Sequence, residues 1–257
     1  MKRIIAFTVF VIVMITSAKS QTIIGKFDGP SSFEKVYLYQ YALLDHKFIS
    51  VDSSLVRNGK YEFNFIEGEE PSQSKLRLKD ERGLFLWTHE IDLFLTGDSI
   101  LVVSADSFNN ARVLNSATNY EYAFLNEMLQ PAQQYYNSII GKIVKEEKGI
   151  PADIMSSKEY IQFSIKRRKD AKKGIYKRYE DFIKENPSSW ISLYALKKRM
   201  GDMDIPLALA QDLIGILDDR LKQSPSGLNM ATRLDNQHKL QIGLPAPAIR
   251  LPNANGK

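Results

Sequence analysis

The residues able to do acid–base, nucleophilic or metal chemistry are few and scattered. Three histidines, His46, His89 and His238, lie in three separate stretches. His89 opens "HEID", next to Glu90 and Asp92. Neighbouring residues of a strand point to opposite faces, so His89 and Glu90 cannot hold one ion together. A metal site needs three or four convergent ligands, and the histidines read as ordinary surface residues. The chain has no cysteine, which excludes a disulfide, a thiol nucleophile and a thiolate metal site. It also has no phosphate-cradling glycine loop, no G-x-S-x-G elbow and no H-E-x-x-H pair. Carboxylates are plentiful, but no pair is marked out by spacing. No catalytic, cofactor-binding or metal-binding residue is assigned, and no cofactor is expected.

Two clusters remain that could carry binding. "KRRKDAKK", residues 166–173, sits in a segment (142–184) with thirteen bases and seven acids, a local +6. It reads as a solvated helix face, with an acidic partner or an anionic lipid surface as the functional alternative. The aromatic set Tyr37, Tyr39, Tyr41, Tyr61, Phe63 and Phe65 forms two trios at a two-residue period, each on one face of a strand. A sandwich core or its rim is the structural reading, since Tyr is favoured in strands. A ligand-stacking platform is the functional one.

The elements that must position these residues change character along the chain. Lys2 and Arg3 precede an apolar run over residues 4–15, and small residues stand at Ala18 and Ser20. This is the pattern of a signal peptide over residues 1–20, cleaved after Ser20. A dozen apolar residues are too few to cross about 30 Å of hydrocarbon. No cysteine is present to carry an acyl anchor, so no stable membrane anchor is expected after cleavage. The formal charge of +5 falls with the leader, which holds Lys2, Arg3 and Lys19 and no acid. The remaining +2 removes the main support for a nucleic-acid partner.

Residues 21–117 read as strands. Tyr61, Phe63 and Phe65 alternate with Glu62 and Asn64, Leu76 and Leu78 with Arg77 and Lys79, and "IDLFLTGDSILVVSA" reads as two strands around Gly97-Asp98. Asn58-Gly59 is a hairpin signal. Six to eight short strands suggest an antiparallel β-sandwich. Residues 118–240 read as helices. The first is interrupted by Pro131. Ile175, Tyr179, Phe182 and Ile183 share one helical face. Asn186 is the expected cap of the next helix, with Pro187 in its first turn. Leu209, Leu213, Leu217 and Leu221 then repeat at steps of four. Strands followed by helices predict an α+β fold.

The last sixteen residues, "IGLPAPAIRLPNANGK", carry Gly243, Ala246, Pro247, Leu251, Gly256 and Lys257. This spacing resembles the opening segment of thioredoxin-like domains of the AhpC/TSA and TlpA/ResA type, with Ile249 where Phe is usual. "VDSSLVRNGKYEFNF", "VLNSATNYEYAFLNE" and "FIKENPSSWISLYAL" resemble, in the same order, parts of the β-domain and helical insert that precede such domains in envelope proteins. The resemblance implies a truncated start of a thioredoxin-like fold over residues 241–257. It also implies a periplasmic or cell-envelope location. The chain would be the non-catalytic N-terminal accessory region of a thiol–disulfide oxidoreductase, with envelope proteins or a redox partner to bind. The family's reactive Trp-Cys-x-x-Cys has no counterpart here, so no catalytic residue is carried over. The alternative is a stand-alone envelope binding protein for a protein or glycan.

Overall fold

Buried Tyr61, Phe63 and Phe65 alternate with exposed Glu62, Asn64 and Ile66. A strand buries one face at a two-residue period, and that rule builds the first half of the molecule. The structure is a computed structural model that describes residues 20–29, 33–42, 47–66, 68–79, 82–201 and 205–239. The signal-peptide reading of residues 1–20 therefore lies outside them except at Ser20, as do His46 and the thioredoxin-like reading of residues 241–257. Among the described residues the strands are β1 (Ser20–Phe27), β2 (Lys35–Ala42), β3 (Lys47–Leu55), β4 (Lys60–Ile66), β5 (Ser72–Lys79), β6 (Phe85–Leu95), β7 (Ile100–Ser104) and β8 (Arg112–Leu114). The helices follow as α1 (Ala117–Glu147), α2 (Ala152–Met155), α3 (Lys158–Glu185), α4 (Trp190–Gly201), α5 (Leu207–Gly215), α6 (Asp219–Lys222) and α7 (Pro225–Lys239). The fold is α+β.

The strands form two four-stranded sheets, ordered β4-β1-β7-β8 and β3-β2-β5-β6. All pairings are antiparallel except β1 with β7. Ile23, Phe63, Ile100 and Val102 of the first sheet share one core with Val36, Leu38, Leu76, Leu78 and Leu93 of the second, which makes the pair a β-sandwich. Gly25 stands opposite Tyr61 in the register, and the Tyr61 ring lies across it where any side chain would sit. Burial pushes the Tyr61 hydroxyl far above its ordinary range.

Asn58 and Gly59 both take positive φ, and Arg57 and Lys60 exchange backbone hydrogen bonds across them. The tight turn is as expected, but the hairpin ends there. β3 pairs with β2, and β4 pairs with β1, so the turn carries the chain from one sheet to the other. A local turn sets the reversal and not which strands later pair.

The helical half departs from its expected boundaries in three places. Pro131 does not interrupt α1, which runs through it. Pro131 is exposed, so the carbonyl left without its helical partner can turn to water. Past this point α3 packs so close that a side chain on Gly174 would touch Ala132. Asn186 does not start α4. Its backbone N–H donates to Phe182 O, and so does its side-chain amide, which closes α3. Ser189 takes the capping role instead, accepting from Ile191 N–H at 3.0 Å. The leucine stripe is divided between α5, a turn and α6. Leu213, Leu217 and Leu221 are still buried in a second core with Phe182, Ile183, Ile191 and Leu196, although Asp218, which caps α6, is extended.

Candidate functional site

The outer face of the second sheet is the most chemically loaded surface among the described residues. The alternation that buries Val36, Leu38, Leu76, Leu78 and Leu93 puts Tyr37, Tyr39 and Tyr41 of β2 on the other side. That face also takes Lys75, Arg77 and Lys79 of β5, and Glu90, Asp92 and Phe94 of β6. Pairing register then stacks them in rows, Tyr37–Arg77–Glu90 and Tyr39–Lys75–Asp92. The first aromatic trio is therefore outside the sandwich, and only the Tyr61 trio is core.

Each row is an aromatic ring, a cation and an acid. Lys75 Nζ lies 2.5 Å from Glu90 Oε1 and 3.2 Å from Asp92 Oδ1. Arg77 Nε lies 2.8 Å from Glu90 Oε2. The Arg77 guanidinium sits 4.9 Å over Tyr39, Lys79 Nζ 4.5 Å over Tyr37, and Lys75 Nζ 5.2 Å over the Phe48 ring. Burial opposes the Lys75 ammonium, but the hydrogen bond to Glu90 and the charges of Asp92 and Glu90 outweigh it, so Lys75 is held above its usual range. His89 faces away, with its ring 5.3 Å from Phe33. His238 is exposed in the last turn of α7. Among the described residues no group of His, Asp and Glu converges as a metal site would require.

At Phe94 the face meets the helical half. Phe94, Tyr122 of α1 and Tyr194 of α4 form a triangle of edge-on rings 5.2–5.5 Å apart. Burial drives both tyrosine hydroxyls upward, assisted at Tyr122 by the charge of Asp92 and at Tyr194 by Tyr122. Both stay neutral donors at any physiological pH. Trp190, Tyr194 and Lys197 follow at steps of four and three, one face of α4. They line a cleft of about 370 Å³ with Tyr41, Phe94 and Met230. Lys197 Nζ is 4.1 Å from the Tyr41 ring centre. Burial, with help from Lys198 and Arg233, lowers its pKa below the usual 10.5.

Glu70, on the rim, accepts from Ser226 N–H at 2.6 Å and from the Ser226 hydroxyl. A carboxylate there complements the positive end of α7. A second hollow of about 650 Å³ lies beyond Trp190, lined by Glu69, Thr96, Asp98, Arg220 and Gln223. Arg220 stacks 4.8 Å from the Trp190 ring. The two hollows share Trp190 and the turn Glu69-Glu70-Pro71. No histidine is among the described residues lining either one. The cleft can stack flat or apolar groups, donate from Lys197 and accept at Glu69.

The basic stretch 166–173 is divided by the helix. Lys166 and Lys169 are exposed, while Arg167 and Arg168 reach α1. Arg167 pairs with Glu146 at 2.7 Å and Arg168 with Glu147 at 2.6 Å. Glu147 also accepts from Ser164 at 3.1 Å. These contacts clasp two helices together.

The α4 stripe and the cation rows escape a reading of single motifs. Their signals were the Trp190–Tyr194–Lys197 spacing and the alternation of bases along β5. A scan against protein-family models finds no match for this chain, and a search of curated proteins finds none either.

Proposed function

We propose that this chain binds rather than catalyses. In this reading it is the non-catalytic accessory region of a periplasmic thiol–disulfide oxidoreductase, exported by its leader, and it holds an envelope protein or redox partner in the Trp190–Tyr194–Lys197 cleft. The observation that carries the binding role is that cleft: four aromatic rings and a half-buried ammonium converge there. The oxidoreductase setting is supported by Gly243, Ala246, Pro247, Gly256 and Lys257, which follow the strands and helices in the family's order. A reading frame downstream of codon 257 encoding Trp-Cys-x-x-Cys would add to that support.

Tryptophan fluorescence tests the cleft. Short extended peptides with an aromatic and an acidic residue are titrated into the chain. Saturable change is expected, lost in Trp190→Phe and weakened in Lys197→Gln. Peptide titrations that leave Trp190 emission flat would remove the proposal. A second reading, a stand-alone envelope protein for glycans, is favoured by Glu69 beside the Trp190 and Tyr194 rings, since sugars stack on rings and donate to carboxylates. Oligosaccharides that saturate the same signal while peptides fail would select it. An insulin-reduction assay should show no turnover above buffer, since the chain has no cysteine.

A further inference from the structure

The antiparallel pair α1 and α3 forms an arm. In α1 no residue between Leu125 and Ile143 is buried, and in α3 none before Ala171. Over that length the two helices have mainly each other, as Ala132 beside Gly174 and Glu147 beside Ser164 show. At 1.5 Å per residue the arm extends about 25 Å past Ala132. Its far end is apolar yet exposed. Val144, Ile154, Met155, Ile161, Phe163 and Ile165 lie open there, with Phe163 53% and Ile165 59% accessible. Single exposed apolar residues are common, but a group at one end marks an interaction surface.

Charge says what that surface meets. Between residues 142 and 169 there are eight bases and four acids. Two of those acids, Glu146 and Glu147, are taken by Arg167 and Arg168. Lys142, Lys145, Lys148, Lys158 and Lys166 are exposed. Lys158, Ile161, Ile165 and Lys169 succeed one another at steps of three, four and four, a single flank with an apolar centre and basic ends. On such a flank the lysine stems lie along apolar surface while their ammonium groups reach outward. The pattern fits a boundary that is hydrocarbon below and anionic above. A second copy fits worse, because two like-charged tips repel.

We propose that the tip of the α1–α3 arm, with α2, docks on an anionic phospholipid surface, seating Ile154, Met155, Ile161 and Ile165 at the headgroup boundary while the surrounding lysines engage lipid phosphates. The absence of cysteine allows a local probe. The chain with Met155→Cys, and separately with Ile66→Cys on the sandwich, is labelled with an environment-sensitive thiol dye. Each is mixed with vesicles of phosphatidylglycerol and phosphatidylcholine in equal parts, or of phosphatidylcholine alone. At position 155 the emission should move to the blue and rise severalfold with the anionic vesicles only. It should revert in about 1 M salt, where screening acts within about 3 Å. Position 66 should not respond, and adding Lys158→Gln and Lys169→Gln should weaken the response at 155 with helicity unchanged. Three outcomes overturn the proposal. One is a silent dye at 155. Another is an equal response to neutral vesicles. The third is a blue shift that grows with protein concentration without lipid, which would assign the tip to self-association.

Discussion

Asn119 does for β6 what a further strand would do. Its side-chain Oδ1 accepts from Phe94 N–H and its Nδ2 donates to Phe94 O, both at 2.8 Å. Nδ2 also donates to Ser116 Oγ at 2.8 Å, and that hydroxyl caps α1 by accepting from Asn119 N–H. All of this is buried. Replacing Asn119 by Leu leaves the N–H and C=O of Phe94 without partners in an apolar setting. The expected loss is about 1–3 kcal/mol for each group stranded, read as a fall in the urea midpoint with unchanged slope. Leu213 and Leu217 test the second core. Either one changed to Ala should cost about 2–5 kcal/mol, while Lys166→Gln and Lys169→Gln, on the exposed side of α3, should leave the midpoint unmoved. A neutral Leu213→Ala would mean that Leu213 contributes nothing to the second core.

For the elements, the α1–α3 arm depends on a few polar contacts because its distal half buries so little. Glu147 is held below its ordinary pKa of 4.5, first by the hydrogen bond from Arg168 and then by Ser164. Its folded pKa is depressed, so its contribution is present above 4.5 and is lost as pH falls through the lower folded value. Amide exchange near Glu147 and Ser164 should therefore quicken as pH drops below about 4.5, after correction for intrinsic exchange, and in Glu147→Gln this acid-dependent step should vanish. Retention of the step in that variant would assign it to another carboxylate. Pro131 gives the opposite kind of change. Pro131→Ala restores a hydrogen bond and removes a steric clash in a helix interior, where Pro costs about 3 kcal/mol relative to Ala. A higher thermal midpoint is expected. No gain would mean α1 has already relaxed around the ring.

Across the whole molecule, two cores meet at one seam. The sandwich core and the helical core are separate clusters, joined by Phe94 among Tyr122 and Tyr194, by Asn119, and by Glu70 on α7. Among the described residues no helix is long and apolar enough to cross a membrane. Phe94→Ala removes the ring that both halves share. It should cost about 3–5 kcal/mol and split a single calorimetric transition into two, as the halves lose their coupling. One unsplit transition, merely lowered, would show that Asn119 and Glu70 suffice to couple them.

What the chain determined locally is legible wherever one physical rule decides alone. The alternation of Tyr61, Phe63 and Phe65, the Asn58-Gly59 turn, the shift from strands to helices near Ala117 and the burial of Leu213 and Leu217 follow from period, φ preference and hydrophobicity. So does the separation of His89 from Glu90. The tertiary structure decided the rest. Asn58-Gly59 could equally have closed a hairpin or, as it does, passed the chain between sheets, because a turn constrains four residues and pairing is settled by a whole face. Tyr37, Tyr39 and Tyr41 share the pattern of a buried trio, yet the register of β5 places Lys75, Arg77 and Lys79 beside them and turns that face outward. The cleft assembles β2, β6, α4 and α7 from positions almost two hundred residues apart. No local rule brings Tyr41 to Lys197. Only the packing of the helical half onto the second sheet does, because apolar burial is non-directional and chooses partners across the whole chain.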